Sequence, residues 1–315
     1  MANVLGIIRN KASGIAGAVE LFINNVKQTQ YKKCQLMEYL TYFKQKSTLP
    51  YDFYDGCAIV YNNEIHLLGG SVSGQQTKHY KWNGSSWSFV STIPYNFRLG
   101  SAVIYNGEIH ILGTGETAYQ KAHYKWNGNS WSSVSTLPYN MYRGRAVVYN
   151  NEIHLMGAGL SDYQKAHYKW NGSSWSSVST LPYNFYNGSA VIYNNQIHIL
   201  GGGSNSTAHY KWNGSSWSSV STLPYYFYYG SSVVYNNEIH ILGSESTGRG
   251  TNHYKWNGSS WLSVSTLPYE FYDGNAVVYN NEIDILGGDA YGTDRSKNHY
   301  YFKKDENGIY TAVLT

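Results

Sequence analysis

Histidine is the side chain that most invites a chemical reading, and all eleven histidines of this 315-residue chain fall at two recurring positions. Five follow an isoleucine (His66, His110, His154, His198, His240), and six precede a tyrosine (His79, His123, His167, His209, His253, His299). Imidazole is a common metal ligand. A metal site, however, needs three or four ligand atoms within ~2 Å of one ion. Histidines placed once per unit at a fixed point spread out instead of converging. They read as a structural ladder, and no metal or cofactor is expected. Paired tryptophans such as Trp82 and Trp87 likewise read as packing, stacking on each other or filling a gap between units. Cys34 and Cys57 are too few for a disulfide framework or a cysteine zinc site. When titratable groups recur in five or six copies, duplication explains them better than catalysis, so no catalytic residues are assigned and no enzyme is expected.

The elements that carry these residues repeat. All six prolines, Pro50, Pro94, Pro138, Pro182, Pro224 and Pro268, sit in one phrase spaced by 42 or 44 residues. A fixed period in this range marks a propeller or another repeat array. Each unit holds two short β-branched runs, SAVIY and EIHIL in the second, joined by Asn-Gly or Asn-Asn. Those are the residues that a two-residue hairpin turn with positive φ requires. A second pair, HYKW and a run beginning SW, flanks another Asn-Gly, Asn83-Gly84 in the first unit. Four short antiparallel strands per unit make one propeller blade. The expected fold is therefore all-β: a six-bladed propeller of four-stranded antiparallel blades.

The phrase resembles a kelch repeat, in which a Gly-Gly pair closes the second strand and a Tyr is followed seven residues later by a Trp. Gly69-Gly70, Tyr80 and Trp87 match, as do Gly201-Gly202, Tyr210 and Trp217. The second glycine has drifted in Gly113-Thr114, Gly157-Ala158 and Gly243-Ser244, and the last unit keeps Gly287-Gly288 and Tyr300 but loses the Trp region. The resemblance covers residues 47–315 and implies the architecture of the central domain of galactose oxidase. That enzyme's copper is held by Tyr and His with a Cys-linked Tyr, and no such constellation stands apart from the repeat here. The Asp-box turns of sialidases are missing, and no unique acid–base pair suggests a kelch-type sugar epimerase.

Two ring closures fit the sequence. The last blade is complete if a strand near 308–314 forms its outer edge, which is the expected arrangement. Alternatively residues 42–48 supply that strand, since Phe43 precedes Pro50 by the same seven residues that separate Trp87 from Pro94.

Residues 1–46 lie outside the repeat. Val4, Ile8, Ile15, Val19, Phe22 and Val26 follow a mostly three-or-four spacing that predicts an apolar helical stripe, with a second short helix at Leu36, Leu40 and Phe43. Gly6, Gly14 and Gly17 weaken it. Such a segment either packs on the propeller or serves assembly, docking into a larger particle or joining copies of the chain in a homo-oligomer. The chain is thus divided into 1–46, an assembly segment, and 47–315, the propeller. The net charge of +4 is concentrated in the head. Residues 1–46 hold seven basic and two acidic residues, leaving 16 basic and 17 acidic in the body. A near-neutral body argues against a nucleic-acid partner. No apolar run reaches the ~20 residues of a membrane span, and Glu20 interrupts the only run resembling a signal peptide.

Constancy between copies marks what a blade needs, so the departures are informative. They fall in two stretches: the entry to the innermost strand, and the loop between strands two and three. Antiparallel alternation puts both on one surface, around the channel mouth. Candidate ligand-binding residues there are Tyr54, Arg98, Tyr142, Arg143, Tyr186, Tyr228, Tyr229 and Tyr272, types suited to flat contact and adaptable hydrogen bonding. The expected function is non-catalytic recognition of a host-surface glycan or protein. The layout resembles kelch-type proteins of bacteriophages and prophages, which implies a virion tail or capsid component whose residues 1–46 contact other virion proteins. The alternative is an intracellular scaffold in the bacterial cytoplasm.

Overall fold

The computed structural model describes residues 43–302 apart from short loop stretches (71–73, 115, 117, 119, 159–160, 204–205, 245–249 and 289–296), together with strands within 5–27 and at 309–313. Six four-stranded antiparallel sheets form a closed ring. Blade 1 runs outward from the axis as Cys57–Tyr61, Glu64–Leu68, Lys78–Trp82 and Trp87–Thr92. Blades 2 to 5 repeat the order, with innermost strands Ser101–Tyr105, Arg145–Tyr149, Ser189–Tyr193 and Ser231–Tyr235. Blade 6 starts at Asn275–Tyr279. Neighbouring innermost strands lie side by side around the axis, and those of blades 6 and 1 complete the circle.

Local chemistry explains the blade. Asn62 and Asn63 both take positive φ, 48° and 58°, as a tight hairpin turn demands. At the outer turn, Asn83 Oδ1 accepts hydrogen bonds from the backbone N–H of Ser85 and Ser86, both at 2.9 Å. The apolar core lies between blades rather than within them: Ile65, Leu67 and Trp82 of blade 1 pack with Val277, Tyr279 and Leu286 of blade 6. The proline phrase feeds this interface. Tyr51, Tyr95, Tyr139, Tyr183, Tyr225 and Tyr269 each donate a phenol hydrogen bond to a buried glycine carbonyl 18 residues on.

In blades 1 to 5 the two histidines pair within the blade. His66 Nδ1 lies 2.7 Å from His79 Nε2, and His79 Nδ1 lies 2.9 Å from Ser91 Oγ. His79 then packs edge-on against Trp126 and Trp131 of blade 2. Trp131 donates its indole N–H back to Ser91 Oγ at 3.0 Å. Trp82 and Trp87 are opposite one another in the register and in contact.

Ring closure differs from the favoured expectation. The outer strand of blade 6 is Phe43–Thr48, paired antiparallel to Asn298–Phe302 with Phe302 opposite Phe43. It carries the bulge found in blades 1, 2, 4 and 5, here between His299 and Tyr300. The propeller therefore begins at Phe43, inside the segment that the repeat boundary assigns to assembly. Ile309–Val313 instead pairs with Leu5–Asn10, which also pairs with Val19–Ile23; Val26–Lys27 completes this seventh sheet. The helical expectation is thus corrected where the structure describes it: Ile8, Val19, Phe22, Val26 and Phe43 lie on strands, while Val4, Ile15, Leu36 and Leu40 fall outside the described residues. Apolar spacing of three or four suggests a helix, but β-branched Ile7, Ile8, Val19 and Ile23 suit strands, and partner strands override so short a periodicity.

Candidate functional site

The entry to each innermost strand is built on a backbone device. Asp55, Leu99, Arg143, Asn187, Tyr229 and Asp273 occupy equivalent positions, all with φ between 53° and 61°. Each donates its N–H to the carbonyl of its predecessor, from Leu99 to Asp55 at 2.6 Å round to Asp55 to Asp273 at 2.9 Å. None of the six is the glycine that usually takes this left-handed conformation, and only the asparagine and the aspartates tolerate it readily. Together they close a head-to-tail ring of hydrogen bonds about the channel mouth. The following glycine permits close approach: a Cβ on Gly144 would stand 2.3 Å from the Gly157 carbonyl oxygen.

The two variable stretches share this face. Thr114, in the loop between strands two and three of blade 2, donates to the Asn96 carbonyl at 2.7 Å, and Tyr163 stacks on Tyr139 at 5.1 Å.

Five of the eight candidate residues come together across blades 3 to 5. The Arg143 guanidinium lies over the rings of Tyr142 and Tyr229, at 4.8 and 5.4 Å. Tyr229 meets Tyr228 edge-on at 4.5 Å, and Tyr228 meets Tyr186 at 6.1 Å. Asn187 Nδ2 donates to the Tyr228 phenol oxygen at 2.9 Å. The other three stand apart. Arg98 is held by Glu116 at 3.1 Å, Tyr54 is half-buried on blade 1, and Tyr272 is only 6% exposed, which leaves little of it available to a ligand. Aromatic type alone could not separate Tyr272 from the half-buried Tyr228.

Sequence reasoning missed Tyr226, which is 60% exposed two residues before Tyr228. Its signal was present: asparagine or an acidic residue occupies that position in the other five units. It also passed over the polar lumen below the mouth. A cavity of about 240 Å³ is lined there by Asp55, Asp273, Arg143, Arg145, Asn187 and Tyr229 among smaller residues. Burial lowers the pKa of Arg145, opposed by Cys57, Asp273 and Asp55 nearby. Burial pushes the Cys57 thiol up to about 11, so it is protonated at neutral pH. Among the described residues no group of three or more His, Cys, Asp or Glu could hold a metal ion, and no helix is long and apolar enough to cross a membrane.

The comparisons establish architecture. The structure of YjhT superposes with a TM-score of 0.70 over 84% of this chain and 98% of that one, at 15% identity. This is a six-bladed propeller fold. No protein-family model matches the sequence, and no curated protein matches it.

Proposed function

We propose that this propeller is a non-catalytic recognition module that binds a host-surface glycan or protein through its variable face. The observation that carries the reading is the cluster of Tyr142, Arg143, Tyr186, Tyr228 and Tyr229, with Tyr226 exposed beside it. Aromatic and arginine side chains are the usual energetic anchors of interfaces. Here they gather on the surface where the near-identical blades differ most. The sequence resemblance to kelch-type proteins of bacteriophages supports a place in a virion tail or capsid, with residues ahead of Phe43 contacting other virion proteins.

The test is whole-cell and glycan-array binding by the double variant Tyr228→Ala, Tyr229→Ala. Loss of an anchor commonly costs over 2 kcal/mol, roughly 30-fold in affinity, so binding should fall at least that far while the melting temperature holds. The contrasting variant Asn127→Ala, Gly128→Ala lies on the opposite face, where Asn127 Oδ1 accepts two backbone hydrogen bonds and Gly128 has a φ of 98°. It should lower stability and leave specificity unchanged. Normal binding by the tyrosine variant would place the ligand elsewhere.

A further inference from the structure

The residues that open the six innermost strands, Cys57, Ser101, Arg145, Ser189, Ser231 and Asn275, have a visible structural task. Ser101 Oγ accepts a hydrogen bond from the Ala146 N–H of the next blade, and Ser231 Oγ does the same for Ala276, both at 3.0 Å. Asn275 Oδ1 accepts from Ala58 N–H at 3.1 Å and so bridges blades 6 and 1. Ser189 receives the Ser232 hydroxyl at 2.7 Å. Cys57 reaches the Gly100 carbonyl. Five of the six positions therefore stitch a blade to its successor.

Arg145 does not. A guanidinium only donates, so it cannot accept from Ala190 N–H in blade 4. Instead Nη1 donates at 3.0 Å to the carbonyl of its own neighbour, Gly144. The side chain stands in the lumen, where it interacts electrostatically with Cys57, Asp55, Asp273 and Tyr229 on blades 1, 5 and 6. Two residues earlier, Arg143 brings a second guanidinium to the same cavity, with its Nε buried and without a hydrogen-bond partner among the described residues. Blade 3 has given up an inter-blade tie and supplies two cations. The two acidic residues of the mouth, Asp55 and Asp273, lie on adjacent blades, and blade 6 is across the ring from blade 3. The cavity is thus basic on one side, acidic on the other, with the Tyr229 ring between.

We propose that this lumen is a discrete subsite for one hydroxylated carboxylate of monosaccharide size. Arg143 and Arg145 hold its carboxylate, and Asp55 and Asp273 accept hydrogen bonds from its hydroxyls. Guanidinium–carboxylate pairing is charge-assisted and geometrically specific. A volume near 240 Å³ admits a single end group, not a chain. The proposal rests on the variable face being the binding face and names the chemistry at its centre.

The experiment is calorimetric titration of the full chain with sodium glucuronate, glucose and N-acetylalanine, for the native protein and for Arg145→Ser. Serine restores the residue of blades 2, 4 and 5 at this position, so the melting temperature should be unchanged or raised. Glucuronate should bind at least tenfold more tightly than either glucose, which lacks the carboxylate, or N-acetylalanine, which lacks the hydroxyls. Arg145→Ser should lose at least tenfold for glucuronate. Equal binding of glucose, equal binding of N-acetylalanine, or an unaffected Arg145→Ser each overturns the proposal. If Tyr228→Ala, Tyr229→Ala still loses cell binding in that event, the recognition face stands and only the subsite falls; if that variant binds cells normally, the face itself is wrong.

Discussion

A histidine kept neutral by its surroundings stores a dependence on pH. Burial draws His66, His110, His154 and His198 down to about 4 and their partners His79, His123, His167 and His209 to about 3. An unfolded histidine titrates near 6.5. The unfolded chain therefore takes up protons that the folded one refuses. Stability is complete above pH 6.5 and drains as pH falls from there towards 3–4. With eight such groups acting together, the melting temperature should be nearly flat from pH 8 to 7 and drop by more than ~10 °C between pH 6.5 and 5. That scale follows from about 1.4 kcal/mol per histidine for each tenfold loss of proton affinity, and from ~2–4 °C per kcal/mol for a domain of this size. A thermal scan at half-unit intervals of pH measures it. A curve still flat at pH 5 would show that the pairs open or hydrate before the protein unfolds. The sequence announced that these histidines were structural, through their copy number. It could not announce that they bond to each other, because His66 and His79 meet only once two strands are in register.

Blade 6 shows what happens when a strand must come from the other end of the chain. Asp284 stands where the other blades have the first histidine, and Lys46 where their outer strands have Val90, Val134, Val178, Val220 and Val264. Lys46 Nζ reaches Asp284 at 2.7 Å and Glu282 at 3.0 Å, while His299 contacts Asp284 at 2.7 Å and Ser47 at 2.8 Å. The Asp284 carboxylate is fully buried. Breaking a buried pair by removing one partner is costly, so Lys46→Met should destabilise by about 3 kcal/mol, read by chemical denaturation. The double change Lys46→Val, Asp284→His copies the other five blades and should recover most of that loss. If the single variant is as stable as the native protein, the ion pair contributes nothing to closure. The repeat makes the four-stranded blade legible, and the seven-residue offset from Phe43 to Pro50 is a true signal of this strand. Two features of the sequence outweigh it. The degenerate text FKQKST lacks the tryptophan that marks the other outer strands, and the chain's far end offers an apolar run that pairs with Leu5–Asn10 instead.

At the scale of the molecule, the closed ring and the blade count follow directly from six copies of one phrase, whereas the candidate surface was legible only as a region. Its aromatics range from Tyr226, 60% exposed, to Tyr272, which is buried, and residue type alone does not sort them. Ring closure makes a clear distinction between two truncations. Removal of residues 1–42 should leave a propeller that binds as before. Removal of 1–48 strips the partner from Asn298–Phe302, exposes Phe302 and leaves Asp284 without its lysine, and should yield an aggregating or unfolded chain. Comparable solubility and melting for the two would mean that the strand is dispensable. The same pairing sets a timetable for synthesis. Phe43–Thr48 is made roughly 250 residues before its partner Asn298–Phe302. At ~5–20 residues per second a ribosome needs roughly 13–50 s to pass from one to the other. Through that interval the strand has no native partner, and five blades can form before the sixth is able to close. Its charged, serine-and-lysine text, poor as a blade signature, is what keeps such a waiting strand from pairing with the wrong edge.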